Sequence, residues 1–284
     1  MYQIAILGCE NSHADTFVKQ IQNDGCYDIE IIGVYSDEPE TLKKFCDKYG
    51  LTAMKSYEEL AGKVDGIMIT ARHGDNHYKY AKPYIPYKIP MFIDKPITCK
   101  EAEALEFMRE LRKNQVQVCG GSMCIYAKEA IELAEVVKTD GLGGIQGGNL
   151  FCPIMMDSPY GGFYFYAQHL IETMLSIFGY DIKAVNAVKR EGRMSLIARY
   201  DQYEVTATYS GNFKYQITLL GKDEIKSSFL TLGGNDEMND MYALLKGQTM
   251  KMDYDTFIKP VFVMNALLRS CESGRWENIS EEKV

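Results

Sequence analysis

The feature that most constrains this chain is a regular alternation along its first 120 residues. Short apolar runs alternate there with polar, amphipathic stretches, which is the pattern of parallel strands joined by crossover helices. The runs are almost continuously apolar, as expected of strands buried on both faces. The predicted strands are Gln3–Leu7, Ile29–Tyr35, Gly66–Thr70, Met91–Ile93 and Val116–Cys119. The predicted helices between and beside them are Ser12–Asn23, Glu38–Tyr49, Tyr57–Ala61, His77–Tyr84 and Lys100–Lys113.

The pattern changes after Gly120 and Gly121. From Ile182 to Leu230, runs of β-forming residues follow one another without intervening helices, which indicates antiparallel pairing. Helices are predicted over Ala127–Val137, Gly162–Phe178, Asp236–Leu245 and Tyr254–Ser273. The predicted fold class is therefore α/β, in two domains that suit the length of 284 residues. A Rossmann-like parallel-sheet domain takes residues 1–120, and an α+β domain with a large, mostly antiparallel sheet takes residues 121–284.

Charge and cysteine content narrow the possible partners and location. Lys and Arg number 31 against 39 Asp and Glu, a net charge of -8 that disfavours nucleic acids and anionic membranes. The eight cysteines are scattered, and several lie in apolar or helical stretches, so reduced and mostly buried thiols are expected. No basic leader and no long apolar segment is present, and we expect a cytoplasmic protein.

The first strand leads through Gly8 into a helix that Asn11 or Ser12 can cap. A Rossmann fold seats a pyrophosphate at this place, on backbone N–H groups. Only the first glycine of G-x-G-x-x-G is present, and Glu10 takes the middle position, where a carboxylate repels phosphate. An ordinary βα turn without a ligand therefore stays open as an alternative.

The second strand is followed by Ser36 and Asp37. An acidic residue at this position binds the adenosine ribose in many Rossmann folds, and Asp37 is near enough to do so. No arginine stands beside it to receive a 2′-phosphate, which favours NAD over NADP. The alternative, equally open, is that Asp37 caps the helix that begins at Glu38.

Two further segments carry a resemblance to a known family. The run Asp94-Lys95-Pro96, after a buried strand, resembles the Glu-Lys-Pro signature of the Gfo/Idh/MocA oxidoreductases. The segment from Tyr160 to Glu172 is similar to the Gly-Gly-rich entry to that family's catalytic helix, with His169 on the catalytic position. The resemblance implies that Lys95 faces the substrate hydroxyl and the nicotinamide, with His169 beside it. A solvated strand-end lysine and a core histidine are the alternatives.

The chain also departs from the family pattern. Phe165 stands where the family often has an aspartate, four residues before the histidine. Glu172, one turn further on, can substitute by geometry, but in the family that place usually holds an aspartate of structural role. Weaker matches occur at Ile69–Ala81, where His77 keeps the family spacing, and near the C-terminus at Leu267–Arg275. The residues that the resemblance implies at the cofactor are Gly8, Glu10, Asn11, Ser12, Ser36, Asp37, Thr70, His73, His77, Asp94 and Lys95.

The function that the resemblance implies is NAD(P)-dependent hydride transfer between a nicotinamide cofactor and a sugar, cyclitol or related polyol. It also implies a homo-oligomer, a dimer or tetramer, and no metal. Two other classes stay open. One is a catalytically silent binding or regulatory protein, which the missing glycines and Phe165 favour. The other is a metal-dependent enzyme that uses His73-x-Asp75-x-His77, with His13 as a further ligand.

Overall fold

A computed structural model describes residues 1–23 and 25–284, and its first half is a Rossmann-like layered domain. Five parallel strands form its sheet in the order β2-β1-β3-β4-β5. Their bounds are β1 Tyr2–Leu7, β2 Ile29–Tyr35, β3 Gly66–Ile69, β4 Met91–Asp94 and β5 Val118–Gly121. The helices of this half are α1 Ser12–Asn23, α2 Pro39–Tyr49, α3 Asp75–Ala81 and α4 Glu101–Asn114.

Alternate residues of β1 face opposite helix layers, as the pleat of a strand requires. Ile4 and Ile6 are fully buried in the core that includes Phe17 of α1. Ala5 and Leu7 are fully buried in the core that includes Tyr78 of α3. The continuous apolar run of β1 therefore reflects burial on both sides, and the prediction of a doubly covered parallel sheet is confirmed.

Two predicted helices of this half differ in the structure. Residues 57–61 form consecutive turns instead of an α-helix, with bonds such as that from the Ala61 N–H to the Glu58 carbonyl, 3.0 Å. Five residues before Gly62 are too few to offset the cost of helix nucleation. Helix α3 begins at Asp75, ahead of the predicted His77, and ends at Ala81 because Pro83 offers no N–H to continue the ladder.

The second half is built on a seven-stranded sheet in the order β11-β10-β6-β9-β8-β7-β12. All neighbouring pairs are antiparallel except β6 with β9, which run parallel and are joined by a long connection of one helix and two strands. The strands are β6 Ile145–Pro153, β7 Ala184–Arg190, β8 Arg193–Arg199, β9 Glu204–Ser210, β10 Gln216–Gly221, β11 Ile225–Phe229 and β12 Glu277–Asn278. The predicted mostly antiparallel sheet is confirmed, whereas the domain boundary at residue 120 stays a prediction.

Helices cover one face of this sheet, but one late helix packs elsewhere. The helices of this half are α5 Lys128–Lys138, α6 Tyr164–Phe178, α7 Asp236–Leu245 and α8 Tyr254–Ser273. Met238 and Met241 of α7 are fully buried in the core beside α1 of the first domain. The Gln20 side chain also donates to the Gly234 carbonyl, 2.9 Å, just ahead of α7. Helix α7 therefore completes the helix layer beside α1.

None of the helices in the described part of the chain combines the length and the apolar character that crossing a membrane requires.

Candidate active site

The site begins at the carboxyl end of β4, where Asp94 is followed by Lys95. Lys95 is 4% exposed, and its Nζ donates to the carbonyl oxygen of Phe165, 3.3 Å, at the start of α6. The same Nζ lies 4.6 Å from the ring centroid of Phe165 and 5.4 Å from that of Tyr166. Burial lowers the pKa of Lys95, and the Asp94 carboxylate opposes that shift. The lysine is thus a buried amine held between the two domains.

Asp94 ties the first turn of the chain to this lysine. Its carboxylate accepts hydrogen bonds from the Asn11 amide, 2.8 Å, and from the Lys95 backbone N–H, 2.7 Å. The His13 Nδ1 lies 3.0 and 3.1 Å from its two oxygens. Burial disfavours the charged carboxyl, but His13 and Lys95 outweigh it and lower the pKa of Asp94 to about 2. Asp94 is therefore an ionised carboxylate whose two oxygens both have hydrogen-bond partners, and it positions those partners.

His13 is a functional neighbour that the sequence did not pair with Asp94. Burial opposes its charged form, but the Asp94 carboxylate outweighs burial and raises the pKa of His13. The pair holds the start of α1 against the end of β4, two segments separated by about eighty residues of chain. His13 also lies outside the group of potential metal ligands that the described residues bring together, which is His73, Asp75 and Cys99.

His169 is buried on α6, and its ring contacts a serine where the family pattern implies a carboxylate. Its Nδ1 lies 2.7 Å from the Ser122 Oγ, and the Cys124 Sγ lies 3.7 Å away. Burial, followed by the charge of Lys95, holds the pKa of His169 well below its usual range, so the imidazole is neutral. The Ser122 Oγ also accepts the Cys124 N–H, 3.2 Å. With the ring proton on Nδ1 and donated to Ser122, Nε2 is left as a proton acceptor.

The expectation that Glu172 substitutes for the missing family aspartate is wrong. Its carboxyl group accepts the Ser122 N–H, 2.9 Å, and the Gln168 side-chain amide, 2.7 Å, so its hydrogen bonds go to these two residues and not to His169. Burial raises the pKa of Glu172 to about 8, despite both bonds. Glu172 therefore holds the turn that carries Ser122, and Ser122 holds His169.

Sequence reasoning missed Ser122. The available signal was the run Gly120-Gly121-Ser122 at the end of a buried strand, since small residues there let other chain segments approach closely. A Cβ added to Gly121 would lie 2.4 Å from a Glu172 oxygen, so the glycine gives that carboxyl group its room. The short glycine run is thus the structural reason that Glu172 reaches Ser122.

The predicted phosphate turn keeps one glycine and places Glu10 across it. Gly8 has a φ of +102°, and a Cβ there would lie 2.2 Å from the Ala71 backbone nitrogen. The Glu10 carboxylate accepts the Arg72 N–H, 3.1 Å, and the Ser36 hydroxyl, 2.8 Å. These contacts connect the loops after β2 and β3 above the end of β1. The negative charge therefore lies along the edge where a Rossmann fold seats a dinucleotide.

Three of the predicted cofactor residues are engaged in the turns beside Glu10. Asn11 accepts the His13 N–H, 3.2 Å, and so caps the start of α1, where Ser12 is the first helical residue. The buried Thr70 hydroxyl donates to the Gly8 carbonyl, 2.5 Å, and fastens the first turn to β3. Each of these residues lies at the carboxyl edge of the parallel sheet.

Asp37 lies at the outer end of the same edge, and it is not a helix cap. Ser36 accepts the Glu38 N–H, 3.1 Å, whereas α2 has no side-chain cap from Asp37. The Asp37 carboxylate accepts the hydroxyls of Tyr35, 2.5 Å, and Tyr80, 2.6 Å. Asp37 is still 44% exposed, so its carboxylate is open to solvent.

The two remaining histidines, His73 and His77, lie in different environments. His77 is fully buried and its Nε2 donates to the Ala71 carbonyl, 2.8 Å, while burial lowers its pKa. His73 is partly exposed, and its Nδ1 accepts the Asp75 N–H, 3.3 Å. The predicted ligand set of His73, Asp75 and His77 is therefore wrong, because His77 points back into the first domain.

Fold and site together define a class. A Rossmann-like domain is joined to an α+β domain, and a buried lysine at the carboxyl edge of the parallel sheet bonds to the helix that bears a buried histidine. This is the arrangement of a two-domain, nucleotide-dependent oxidoreductase fold.

Comparison with known proteins identifies the family. Residues 2–122 match the family described as "Oxidoreductase family, NAD-binding Rossmann fold", GFO_IDH_MocA. Residues 2–122 of this chain are thus similar to the Gfo/Idh/MocA family, and the resemblance seen in the sequence is confirmed. No curated protein matches the chain in sequence.

Solved structures share the fold over the whole chain. One is the WlbA dehydrogenase from Chromobacterium violaceum, in complex with NADH and UDP-GlcNAcA, with a TM-score of 0.81 and 14% identity over 99% of this chain and 97% of that one. Another is myo-inositol 2-dehydrogenase from Lactobacillus plantarum, with a TM-score of 0.84 and 13% identity over 98% of this chain and 99% of that one. At such identities the likeness shows the two-domain fold.

Proposed function

We propose that this protein is an NAD-dependent dehydrogenase that acts on a CH–OH group of a sugar, cyclitol or related polyol. The observation that carries the proposal is the meeting of Lys95, from the first domain, with the helix that bears His169, from the second. Both side chains are 4% exposed, so a substrate between them would react in a site largely closed to water. The solved WlbA and inositol dehydrogenases that share the fold act as precedents for the substrate class.

Residues at two places along the carboxyl edge of the parallel sheet fit NAD. Gly8 allows the close approach between the first turn and Ala71, and the exposed Asp37 carboxylate offers acceptors for ribose hydroxyls. Asp37 would also repel a 2′-phosphate, which favours NAD over NADP. Glu10 departs from the family in the middle of the edge, but its two hydrogen bonds hold it toward Ser36 and Arg72. We infer that the dinucleotide passes this held carboxylate at a cost in affinity.

The chain's own residues divide the chemistry between them. NAD, when bound, supplies the hydride acceptor. His169 takes the substrate hydroxyl proton at Nε2, and Ser122 fixes the ring by its contact with Nδ1. Lys95 binds the same oxygen and stabilises the negative charge that develops on it, which compensates for the low basicity of a buried imidazole. Asp94 acts as a positioning residue through the backbone N–H of Lys95.

The test is a turnover screen with NAD⁺ and a panel of sugars, cyclitols and nucleotide sugars, following NADH absorbance. We expect reduction of NAD⁺ with at least one polyol, and its loss in Lys95→Met. Turnover that persists unchanged in Lys95→Met would overturn the assignment of the site.

A second candidate function is a catalytically silent binding or regulatory protein with the same fold. Two observations favour it: Glu10 lies across the phosphate turn, and Phe165 replaces the family aspartate beside Lys95. It predicts that NADH binds while no member of the panel is oxidised. Turnover in the same screen would exclude it.

We also propose that the protein is a homo-oligomer through the outer face of the second sheet. Phe151 is 43% exposed, Val188 52% and Phe229 59%, so apolar side chains line the face of the sheet opposite its helices. Light scattering of the purified protein tests this. A monomer at micromolar concentration would overturn it.

A further inference from the structure

A cluster of metal-ligand side chains lies beside the candidate active site and outside the mechanism. His73, Asp75 and Cys99 are the group that the described residues bring together, with ligand atoms that all lie within 4.8 Å of one another. His73 and Asp75 follow β3, and Cys99 follows β4, so adjacent strands of the parallel sheet supply them. An imidazole, a carboxylate and a thiol are donors that suit Zn²⁺.

Two carboxylate oxygens at this cluster have no partner. The Asp75 Oδ1 is buried and makes no hydrogen bond, and the same holds for the Glu103 Oε2. Glu103 lies in the first turn of α4, four residues after Cys99. Lys100 forms an ion pair with the other Asp75 oxygen, at 3.6 Å from its Nζ, and its side chain is 70% exposed. A solvated lysine at that distance compensates poorly for two acids.

The soft ligand atoms face one spot beneath a loop of the second domain. A Cβ added to Gly161, which has a φ of +96°, would lie 3.6 Å from both the His73 Nε2 and the Cys99 Sγ. Gly161 belongs to the loop that leads into α6. On the other side, a Cβ on Gly74 would lie 2.9 Å from the Pro96 Cγ and 3.3 Å from the Cys99 Sγ. The cluster therefore lies between the Lys95-Pro96 segment and the entrance to the catalytic helix.

We propose that His73, Asp75 and Cys99 bind a divalent cation of the Zn²⁺ type, with Glu103 beside it. Tetrahedral zinc with bonds of about 2.0–2.3 Å places its ligands roughly 3.5 Å apart, so the three side chains need to close by about 1 Å. Coordination through the His73 Nε2 places the ring proton on Nδ1. Because a protonated Nδ1 cannot accept a hydrogen bond, the 3.3 Å bond from the Asp75 N–H is then lost. The cation would join the loops after β3 and β4 and steady the loop ahead of α6. The inference stands apart from the proposed hydride transfer.

Binding must displace the thiol proton. A metal ligand has to be the thiolate, and metal binding therefore releases a proton and strengthens as pH rises. This pH dependence separates a cysteine-ligated cation from a surface ion held by carboxylates.

The experiment uses the full chain, freed of metal with a chelator and titrated with Co²⁺ and with Zn²⁺. We expect one Co²⁺ per chain, with the intense near-ultraviolet band of a thiolate ligand, and displacement by Zn²⁺ with a rise in melting temperature. The band should vanish in Cys99→Ser and in His73→Asn, and persist in Cys271→Ser, whose cysteine lies on α8. Far-ultraviolet circular dichroism checks that each variant is folded.

The proposal is overturned if the wild-type chain shows no stoichiometric Co²⁺ binding. It is also overturned if the thiolate band survives both Cys99→Ser and His73→Asn. These outcomes involve no dinucleotide and no turnover, so they are distinct from a failure of the proposed dehydrogenase activity.

Discussion

The two ends of the proposed cleft have diverged to different degrees. At the inner end, Lys95 and His169 keep the family positions and are locked by contacts between elements far apart in the chain. At the outer end, only Gly8 of the glycine fingerprint is present, and Glu10 bridges the loops after β2 and β3. The inner end carries the groups that we propose act on the substrate, whereas the outer end carries a charge that opposes a diphosphate.

The comparison teaches that rate and affinity depend on separate parts of this molecule. Substitutions at the inner end should change turnover with little effect on dinucleotide binding. Substitutions at the outer end should change binding with little effect on the chemical step. Variants that fail to separate in this way would break the comparison.

The largest expected effect is at Lys95. Replacing it with methionine removes the group that stabilises charge on the substrate oxygen, and kcat/KM should fall by about 10³-fold or more. NADH affinity should change little. Steady-state kinetics and a binding titration measure the two quantities on the same protein. Lys113→Met, at an exposed position on α4, is the matched control and should keep full activity.

Ser122→Ala should give the next largest loss. Without the hydroxyl, the imidazole of His169 loses the contact that fixes its orientation, and kcat should fall by about tenfold, equivalent to ~1.4 kcal/mol. KM should stay close to that of the wild type, because Ser122 does not touch substrate in the proposed arrangement. A pH profile of kcat unchanged in both height and shape would contradict the role of Ser122.

Glu10 tests the outer end. Glu10→Gly removes the negative charge from the phosphate turn, and the Kd for NADH should fall by about tenfold, ~1.4 kcal/mol. Glu10→Gln keeps the shape and removes the charge, so it should recover most of that gain. The advantage of both variants should shrink in high salt, since salt screens the repulsion. Weaker binding in Glu10→Gln would show that the carboxylate contributes to the site.

The smallest expected effect is on stability and concerns Glu172. Burial raises its pKa to about 8 from the ordinary 4.5, so the folded state favours the protonated form. Its stabilising contribution is complete below about pH 4.5 and is lost as pH rises through 8. Melting temperature should therefore fall by a few degrees between pH 5 and 8.5, and less in Glu172→Gln. Glu191→Gln, on an exposed turn, should follow the wild type.

Local pattern predicted most of the elements, because the strands and helices follow their hydrophobic periodicity closely. Helices α7 and α8 have the predicted bounds, and so do α1 and β2. What the pattern could not supply is long-range pairing. Helix α7 packs beside α1 across more than two hundred residues of sequence, and an amphipathic face does not name its partner.

The site shows the same division. Lys95 and His169 are recognisable because the family signature is local in sequence. Ser122 is not, since a serine after two glycines reads as an ordinary turn, and its link to His169 depends on how α6 lies against β5. The potential metal ligands also depend on long-range packing. Cys99 lies beside His73 and Asp75, whereas the buried imidazole of His77 bonds to the Ala71 carbonyl.

The most direct test of the account is a calorimetric titration of the purified protein with NADH, repeated with NADPH and with melting temperature as a second readout. The account predicts saturable binding of NADH at one site per chain, a rise in melting temperature, and weaker binding of NADPH. The absence of NADH binding by the wild-type chain and by Glu10→Gly alike would contradict the claim that this fold is a dinucleotide-dependent dehydrogenase.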